Sequence, residues 1–335
     1  MHHLPGAVSV ASQCGLQSSA VFANALHSGP SQRYGTLQGK HVEPDLSTSS
    51  PMSATTSEVD AVIADVKHKL RRRTVNIDLL SPVVDLLLHS GFKKEHIIAA
   101  VTTNPRLMSQ SRSTWERTIH DLAEYGFSKE HMLPVVLGYP PVLKGNMDGL
   151  STVLETLYSL YVPSDKANEL VALCPDILQQ KPKAIVSRFG LLMDVFRKAD
   201  IVNLLLTNPT LLVDDWSDIM ERFHYVYFRL GFEQQVMRNC QVLSRPLDHI
   251  KQRHLFLRRA GLYEKPDKHG VTTVNNPKLR QIVDTTDHEF AVNVAGMTLG
   301  EFRAFGKILQ LEAEQEERDA LEDEWDSDEE DSDET

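Results

Sequence analysis

The segment 244–259, SRPLDHIKQRHLFLRR, concentrates positive charge and is the strongest candidate in the sequence for binding chemistry. Its permanent cations are Arg245, Lys251, Arg253, Arg258 and Arg259. A single acid, Asp248, lies among them. On a helix Lys251, His254 and Arg258 fall at i, i+3 and i+7 and share one face. Such a face neutralises phosphate groups without reading bases, so the segment favours nucleic-acid contact over an ordinary solvated surface.

Further cations lie on two upstream helices and extend this candidate surface. They are Lys181, Lys183 and Arg188 on one helix, and Arg222 and Arg229 on the next. If the helices lie side by side, these cations form a path with the segment 244–259, although each one taken singly also fits a solvated face. Tyr225 and Tyr227 alternate with the arginine face and could stack on unpaired bases, although core packing explains them at least as well.

The remaining reactive side chains form no recognisable catalytic arrangement. The sequence contains neither a glycine-rich phosphate loop nor an HExxH zinc helix. The triplet KEH occurs at 94–96 and 129–131, and this recurrence indicates first-turn helix residues rather than a catalytic pair. Cys174 and Cys240 fit small core positions, and with Cys14 they form no CxxC pair. We therefore expect no enzyme activity, no cofactor and no metal site.

The elements that position these residues repeat with a period close to 35. Glycines mark the period at Gly91, Gly126 and, three periods further on, Gly231. Prolines follow at intervals of 35, 35 and 34, at Pro105, Pro140, Pro175 and Pro209. Two independent series that share one period are the signature of a structural repeat.

Each repeat is predicted to be a pair of helices. A first helix, for example 113–125, ends at Gly126, which suits a left-handed cap with Phe127 as its apolar contact. A second helix of about ten residues is stopped by the proline, and a short 3₁₀ turn returns the chain to the core. Such pairs bury their apolar faces only by stacking, so the sequence predicts an all-α solenoid curved into a superhelix.

The repeats resemble those of the mitochondrial transcription termination factor (mTERF) family over residues 75–262, through a Gly-Phe spacer, a helix and a Pro-x-φ-φ element. The W-x₂-L-G-x₂-Y pattern of tetratricopeptide repeats is missing. Downstream, HIKQRHLFLRRAGLYEKPDKHG (249–270), NNPKL (275–279) and GEFRAFGKIL (300–309) resemble one branch of the family. That branch binds ribosomal RNA and brings a Sun-family RNA cytosine-5 methyltransferase to the large mitochondrial ribosomal subunit.

The resemblance implies a non-enzymatic factor of the mitochondrial matrix with a partner surface at its C-terminal end. The candidate partner-binding residues are Tyr263, Lys268, Phe290, Phe302, Phe305 and Leu309. The last four also fit an alternative in which they close the core of the solenoid. Two other functions stay open: a DNA-binding factor that terminates or modulates mitochondrial transcription, and a protein scaffold without nucleic-acid contact.

Composition divides the chain into four predicted parts. Residues 1–57 form a leader and linker; the first 42 contain no Asp or Glu and resemble a mitochondrial transit peptide, or else a disordered N-terminus. Residues 58–262 form the repeats, and 263–311 a capping and partner-docking segment. Residues 312–335 form an acidic tail with 15 acids and one arginine, which leaves 34 Lys/Arg against 31 Asp/Glu elsewhere. No apolar run reaches the roughly 18 residues of a membrane span, so we expect a soluble protein without a membrane partner.

Overall fold

The computed structural model describes residues 56–70, 76–267 and 272–330, and every regular element within these ranges is helical. This confirms the predicted all-α class. The predicted leader, residues 1–42, lies outside the described ranges. None of the helices inside them combines the length and the apolar character that crossing a lipid bilayer requires. The backbone divides into two compact units, Met1–Gly190 and Leu191–Thr335.

The described part of unit 1 is a series of stacked helix pairs. Its helices are α1 (Thr56–Lys69), α2 (Ile77–His89), α3 (Lys94–Thr103), α4 (Pro105–Met108), α5 (Arg112–Glu124), α6 (Lys129–Gly138), α7 (Asp148–Ser159), α8 (Ser164–Leu173) and the beginning of α9 (Pro182–Val195). The 3₁₀ turns are Pro140–Lys144 and Pro175–Gln179. The second helices α3, α6 and α8 pack side by side as one layer, and the first helices α2 and α5 pack in another. This stacking confirms the predicted solenoid.

Unit 2 begins with the end of α9 and contains the remaining helices. They are α10 (Ile201–Thr207), α11 (Trp216–His224), α12 (Gln234–Met237), α13 (Leu247–Arg259), α14 (Leu279–Val283), α15 (Asp287–Glu289) and α16 (Leu299–Glu330). The 3₁₀ turns are Lys198–Asp200, Pro209–Leu212 and Gln241–Leu243, and the π-helical segments are Tyr225–Leu230 and Phe290–Val294. Helix α13 packs against α14 and α16. Helix α16 is continuous across the predicted start of the acidic tail at residue 312.

The prolines end the second helices as the sequence predicts. The residue before each proline leaves the helical region, with φ of −141° at Asn104, −132° at Tyr139, −139° at Cys174 and −128° at Asn208. Proline disfavours helical geometry in the residue that precedes it, which explains the shared conformation. Three of the prolines then open a predicted 3₁₀ turn, whereas Pro105 opens one turn of α-helix.

Glycine ends four of the first helices in the left-handed conformation predicted for Gly126. The φ angles are 80° at Gly91, 80° at Gly126, 81° at Gly231 and 71° at Gly261. The N–H of Phe127 donates to the carbonyl of Leu122 at 3.0 Å, and the Phe127 ring is buried. This bond and this apolar contact are those of a Schellman cap.

Two of these caps are completed by a side chain from the following repeat. The amide of Asn168 donates to the carbonyl of Tyr125 at 3.1 Å, one residue before Gly126. The hydroxyl of Tyr263 donates to the carbonyl of Leu230 at 2.6 Å, one residue before Gly231. Carbonyls in the last turn of a helix have no partner within it. Successive repeats are therefore joined by hydrogen bonds as well as by apolar packing.

Arginines on three first helices form a second kind of bond within the repeats. Their guanidinium groups donate to backbone carbonyls in the element that ends the repeat: Arg117 to Leu143 at 2.9 Å, Arg222 to Leu243 at 2.6 Å, and Arg253 to Ile282 at 2.7 Å. We call these residues the clamp arginines. Each one ties a long helix to a turn or short helix that lies more than 20 residues further along the chain.

Tyrosine occupies the cap position of the third repeat. Tyr161 lies 35 residues after Gly126 and has a φ of 62°, the one positive φ found at a residue other than glycine in the described ranges. Its side chain is 83% exposed. The left-handed conformation costs an L-residue roughly 1–2 kcal/mol, because Cβ approaches the following carbonyl oxygen. This repeat therefore folds against a local backbone preference.

We expect Tyr161→Gly to raise the free energy of unfolding by about 1 kcal/mol, because the strain removed exceeds the chain entropy that glycine adds to the unfolded state. Gly126→Ala is the matched control, and it should lower the free energy of unfolding by about 1 kcal/mol. Urea-induced unfolding followed by circular dichroism measures both changes. A less stable Tyr161→Gly protein would contradict the prediction and would show that the tyrosine side chain stabilises more than its backbone strain costs.

Candidate nucleic-acid interface

A cationic pocket with a volume of about 400 Å³ opens on unit 2 beside the end of α13. Its walls come from the π-helical segment Tyr225–Leu230, from α13 and from the loop that follows α13. The lining residues are Phe228, Arg229, His254, Arg258, Tyr263, Glu264 and Lys265. The fold thus brings together side chains from two repeats and a loop.

The π-helical segment presents three neighbouring side chains to solvent. π-Helical turns are rare and frequently stand at functional sites. Tyr227, Phe228 and Arg229 are all exposed, and 57% of Phe228 is accessible. The centroid of the Phe228 ring lies 5.0 Å from that of Tyr227 and 5.7 Å from that of His224. An exposed ring held by two aromatic neighbours is a suitable platform for an unpaired base.

The floor of the pocket is aromatic and neutral. The hydroxyl of Tyr225 lies 2.8 Å from Nδ1 of His254, and the His254 ring meets the Tyr263 ring edge-on at 5.2 Å. Burial, together with the charge of Arg258, lowers the pKa of His254 to about 4. Burial raises the pKa of Tyr225 to about 12. Both groups are therefore uncharged near pH 7, so the floor places no negative charge against an anion.

The rim of the pocket holds three exposed cations, Arg229, Arg258 and Lys265, and one carboxylate, Glu264. Hydrogen bonds from Thr273 lower the pKa of Glu264, and its backbone bond measures 2.8 Å. The excess of positive charge suits a phosphate group, which a guanidinium fork binds through two oxygens. With the exposed phenylalanine beside it, the pocket matches a nucleotide of single-stranded nucleic acid.

Two arginines predicted to contact nucleic acid are held inside the protein. Arg222 is buried and donates to Oδ2 of Asp214 at 3.2 Å. Arg253 is 1% exposed, pairs with Oδ1 of Asp287 at 2.8 Å and lies over the Phe290 ring at 4.8 Å. Because these clamp arginines use their donors within the protein, away from solvent, we correct the prediction and assign them a structural role.

The other cations predicted on α13 and in the residues just before it differ in their environment. Arg245 is half-buried and donates to Oε1 of Gln241 at 2.7 Å. Lys251 is half-buried on α13. Arg258 and Arg259 are exposed at the end of the helix, and Arg258 alone of these four lines the pocket. The stripe predicted on α13 is therefore reduced to its C-terminal end.

The predicted cations at the start of α9 lie in unit 1. Lys181 and Lys183 are exposed, and Arg188 is half-buried. They stay a predicted contact surface in that unit. Of the two tyrosines considered for base stacking, Tyr227 is exposed, whereas Tyr225 is half-buried through its bond to His254.

Lys265 and Phe228 belong to the pocket and were not predicted from the sequence. Lys265 stands in the loop YEKPDKHG, where no helical spacing relates it to Arg229 or Arg258. Phe228 follows two tyrosines in the run YVYF, and an aromatic run gives no indication of which ring is exposed. The adjacent Arg229, a predicted nucleic-acid contact, was the one feature of the sequence that could have indicated Phe228 as a site residue.

The predicted partner-binding aromatics are divided between the core and the surface. Phe290 and Phe302 are buried, with ring centroids 5.1 Å apart, so they close the core of unit 2. Tyr263 is also buried, through its bond to Leu230. Phe305 and Leu309 are half-buried on α16. Lys268 lies outside the described residues.

Other apolar side chains of this region are exposed instead. Val292, Ile308 and Leu311 are open to solvent, and 64% of Leu311 is accessible. A shallow depression of about 510 Å³ lies nearby, lined by His288, Val292, Gly296, Met297, Thr298, Leu299 and Glu301. We therefore move the candidate partner surface from the buried phenylalanines to these residues.

Acid is expected to weaken the fold through His254. The pKa of about 4 in the folded chain lies below the ordinary value of roughly 6.5. Between these two values the unfolded chain binds a proton that the folded chain does not. Stability is complete above pH 7 and falls as the pH drops from 6.5 towards 4, by about 2 kcal/mol at pH 5 for this one residue. Half-buried His249, whose pKa burial also lowers to about 4, adds to the loss.

Urea-induced unfolding at about pH 7 and about pH 5 tests this expectation, because these two pH values lie on either side of the ordinary histidine pKa, at which the unfolded chain takes up the proton. His254→Gln should show a smaller loss between the two pH values than the wild-type chain. His120→Gln is the matched control, because this histidine is exposed. An equal pH dependence in wild type and His254→Gln would contradict the assignment.

Two comparisons with known proteins agree with this architecture. A family model described as mTERF matches residues 40–291, which is more than half of the chain. The chain is also 27% identical over 249 residues to the mouse protein "Transcription termination factor 4, mitochondrial". The matched region covers 73% of this chain and 71% of the mouse protein.

Proposed function

The chain belongs to the mTERF family, and we propose that it is a mitochondrial protein that binds ribosomal RNA. In this proposal it also recruits a Sun-family RNA cytosine-5 methyltransferase to the large mitochondrial ribosomal subunit and so supports ribosome assembly and translation. It acts in the matrix as a binding protein, and the chemistry belongs to its partner.

The observation that carries the proposal is the cationic pocket. Arg229, Arg258 and Lys265 stand around an opening next to an exposed phenylalanine ring. Cations neutralise phosphates whatever the sequence, whereas an exposed ring requires a base that is free to stack. Ribosomal RNA offers such bases in loops and bulges, which duplex DNA does not.

The exposed apolar residues of the C-terminal region support the recruiting role. Val292, Ile308 and Leu311 lie on elements that flank the buried phenylalanine cluster, so a partner would dock on a rigid surface. Apolar groups at the centre of a protein interface are the usual anchors of binding. The buried phenylalanines support this surface from beneath.

Crosslinking followed by sequencing of the attached nucleic acid tests the proposal. Ultraviolet crosslinking of the full chain in intact mitochondria should recover large-subunit ribosomal RNA, and the crosslink should be lost from Phe228→Ala. Gradient sedimentation of the same lysate should place the chain with large ribosomal particles. Recovery of mitochondrial DNA alone, with sedimentation among nucleoids, would overturn the ribosomal assignment.

The second candidate is a DNA-binding factor that terminates or modulates mitochondrial transcription. The name of the mouse relative favours it. In that case the pocket cations contact the duplex backbone, and Phe228→Ala should leave the affinity for a DNA duplex unchanged. Comparison of duplex DNA with single-stranded RNA as competitors therefore separates the two candidates.

A further inference from the structure

A salt bridge closes the cationic end of α13 against α16. Both terminal nitrogens of Arg259 bond to the carboxylate of Glu312, at 3.0 Å to Oε1 and 2.7 Å to Oε2. The guanidinium group also lies over the ring of Phe305, 5.3 Å from its centroid. The hydrogen bond to Glu312 raises the pKa of Arg259 and lowers that of the glutamate. Arg259 is thus exposed but already occupied by an internal anion.

The geometry of this salt bridge is that of a phosphate contact. A guanidinium fork binds two oxygens of a carboxylate or of a phosphate in the same planar, bidentate way. Arg259 directly follows Arg258, whose side chain lines the cationic pocket. Since the two arginines are consecutive, an RNA strand with one phosphate at Arg258 could place the next at Arg259, whose donors are already held by the carboxylate of Glu312.

The helix that supplies Glu312 is acidic beyond it. Residues 312–319 contain five acids and one arginine, and all of them but Glu312 are exposed. Residues with a net negative charge next to a cationic surface lower its attraction for a polyanion. One acid makes the direct bond, and the others add a longer-range contribution that salt screens.

We infer that α16 is an internal competitor of RNA, with Glu312 in the place of a backbone phosphate on Arg259. The inference rests on the proposed RNA-binding function. An exposed salt bridge contributes little to stability, so RNA with several correct contacts displaces Glu312, while a weakly bound polyanion does not. The helix therefore removes non-specific binding in preference to specific binding.

The test compares Glu312→Gln with Glu317→Gln in the full chain. The two variants remove the same charge from the same helix, but residue 317 lies about 140° around the helix from residue 312. A labelled single-stranded RNA of about 20 nucleotides serves as the probe, titrated between roughly 50 and 200 mM KCl. Thermal unfolding of each variant checks that the fold is intact.

We expect Glu312→Gln to bind this RNA about threefold more tightly than wild type and to steepen the salt dependence by about one counterion. Glu317→Gln should change the affinity less, and Glu312→Gln should have no such effect in an Arg259→Gln background. Equal gains in affinity from both glutamate variants, or an unchanged affinity in Glu312→Gln, would overturn the inference. If the wild-type chain binds the RNA in that experiment, the proposed function is still upheld. A wild-type chain that does not bind RNA would overturn both.

Discussion

Arg229→Gln combined with Arg258→Gln is expected to weaken RNA binding about a hundredfold. In the proposed complex each arginine, at the rim of the pocket, would supply charge-assisted hydrogen bonds to phosphate. The loss of one such contact corresponds to about 1.4 kcal/mol, or about tenfold in the dissociation constant. Because both side chains are exposed, the fold should be unchanged. Fluorescence anisotropy with single-stranded RNA at several salt concentrations measures the affinity. The slope of log affinity against log salt concentration should decrease in magnitude by about two.

The matched control for this experiment is Arg303→Gln combined with Lys307→Gln. Both residues are exposed on α16, and the control also removes two positive charges from unit 2. The affinity of this control should change by no more than about threefold, because exposed charges outside the contact act only through screened, long-range attraction. Equal losses in the two double variants would show that net charge, not the pocket, determines binding.

Arg253→Met is expected to lower the free energy of unfolding by about 3 kcal/mol. The guanidinium group donates to the Ile282 carbonyl at 2.7 Å, to Oγ1 of Thr285 at 3.1 Å and to Asp287 at 2.8 Å. Methionine fills a similar volume but has no donors, so the buried carbonyl loses its partner. Urea-induced unfolding measures the loss, and amide hydrogen exchange should locate it in residues 279–294.

Arg258→Met is the control for Arg253→Met, because the exposed neighbour should change stability by less than about 0.5 kcal/mol. The two variants should also differ in the binding assay. Arg258→Met should weaken RNA binding, whereas folded Arg253→Met should bind with nearly the affinity of wild type. A stable Arg253→Met protein with weakened RNA binding would restore the original sequence-based role of this arginine.

The repeat could be predicted from the sequence because its markers act locally. A proline stops a helix through its own ring, and a glycine adopts the left-handed cap without help from distant residues. The period of 35 was therefore readable from Gly91, Gly126 and Pro105 before any contact was known. Tyr161 carries no such local signal, because the conformation of this tyrosine is imposed by the repeat around it.

The candidate site was predicted only in part, because helical spacing identifies a face and leaves the end of a long side chain undetermined. Arg253 and Arg258 stand five residues apart on α13, yet one reaches a buried carbonyl and the other lines the pocket. Arginine covers apolar surface with its stem, so its sequence position does not decide where its charge lies. Lys265 comes from a loop, whose course depends on contacts far along the chain.

A signal for two of the three clamp arginines was present in the sequence. Arg117 and Arg222 are 105 residues apart, three periods, and both bond to a carbonyl in the turn that ends their repeat. A charged residue that recurs with the structural period is therefore better interpreted as part of the repeat than as part of a binding surface. The same reasoning separates the recurring KEH triplets from catalytic chemistry.

The bonds from Asn168 to Tyr125 and from Tyr263 to Leu230 give each unit a polarity along its chain. A helix terminus keeps an unpaired carbonyl until the residues of the next pair have folded over it. Local unfolding within a unit should therefore begin at the later helix pair. Its loss removes the hydrogen bond that completes the end of the preceding helix, which can then unfold in turn. During synthesis the order is reversed, and each of these two helix ends is completed only when the residues that follow it have been made.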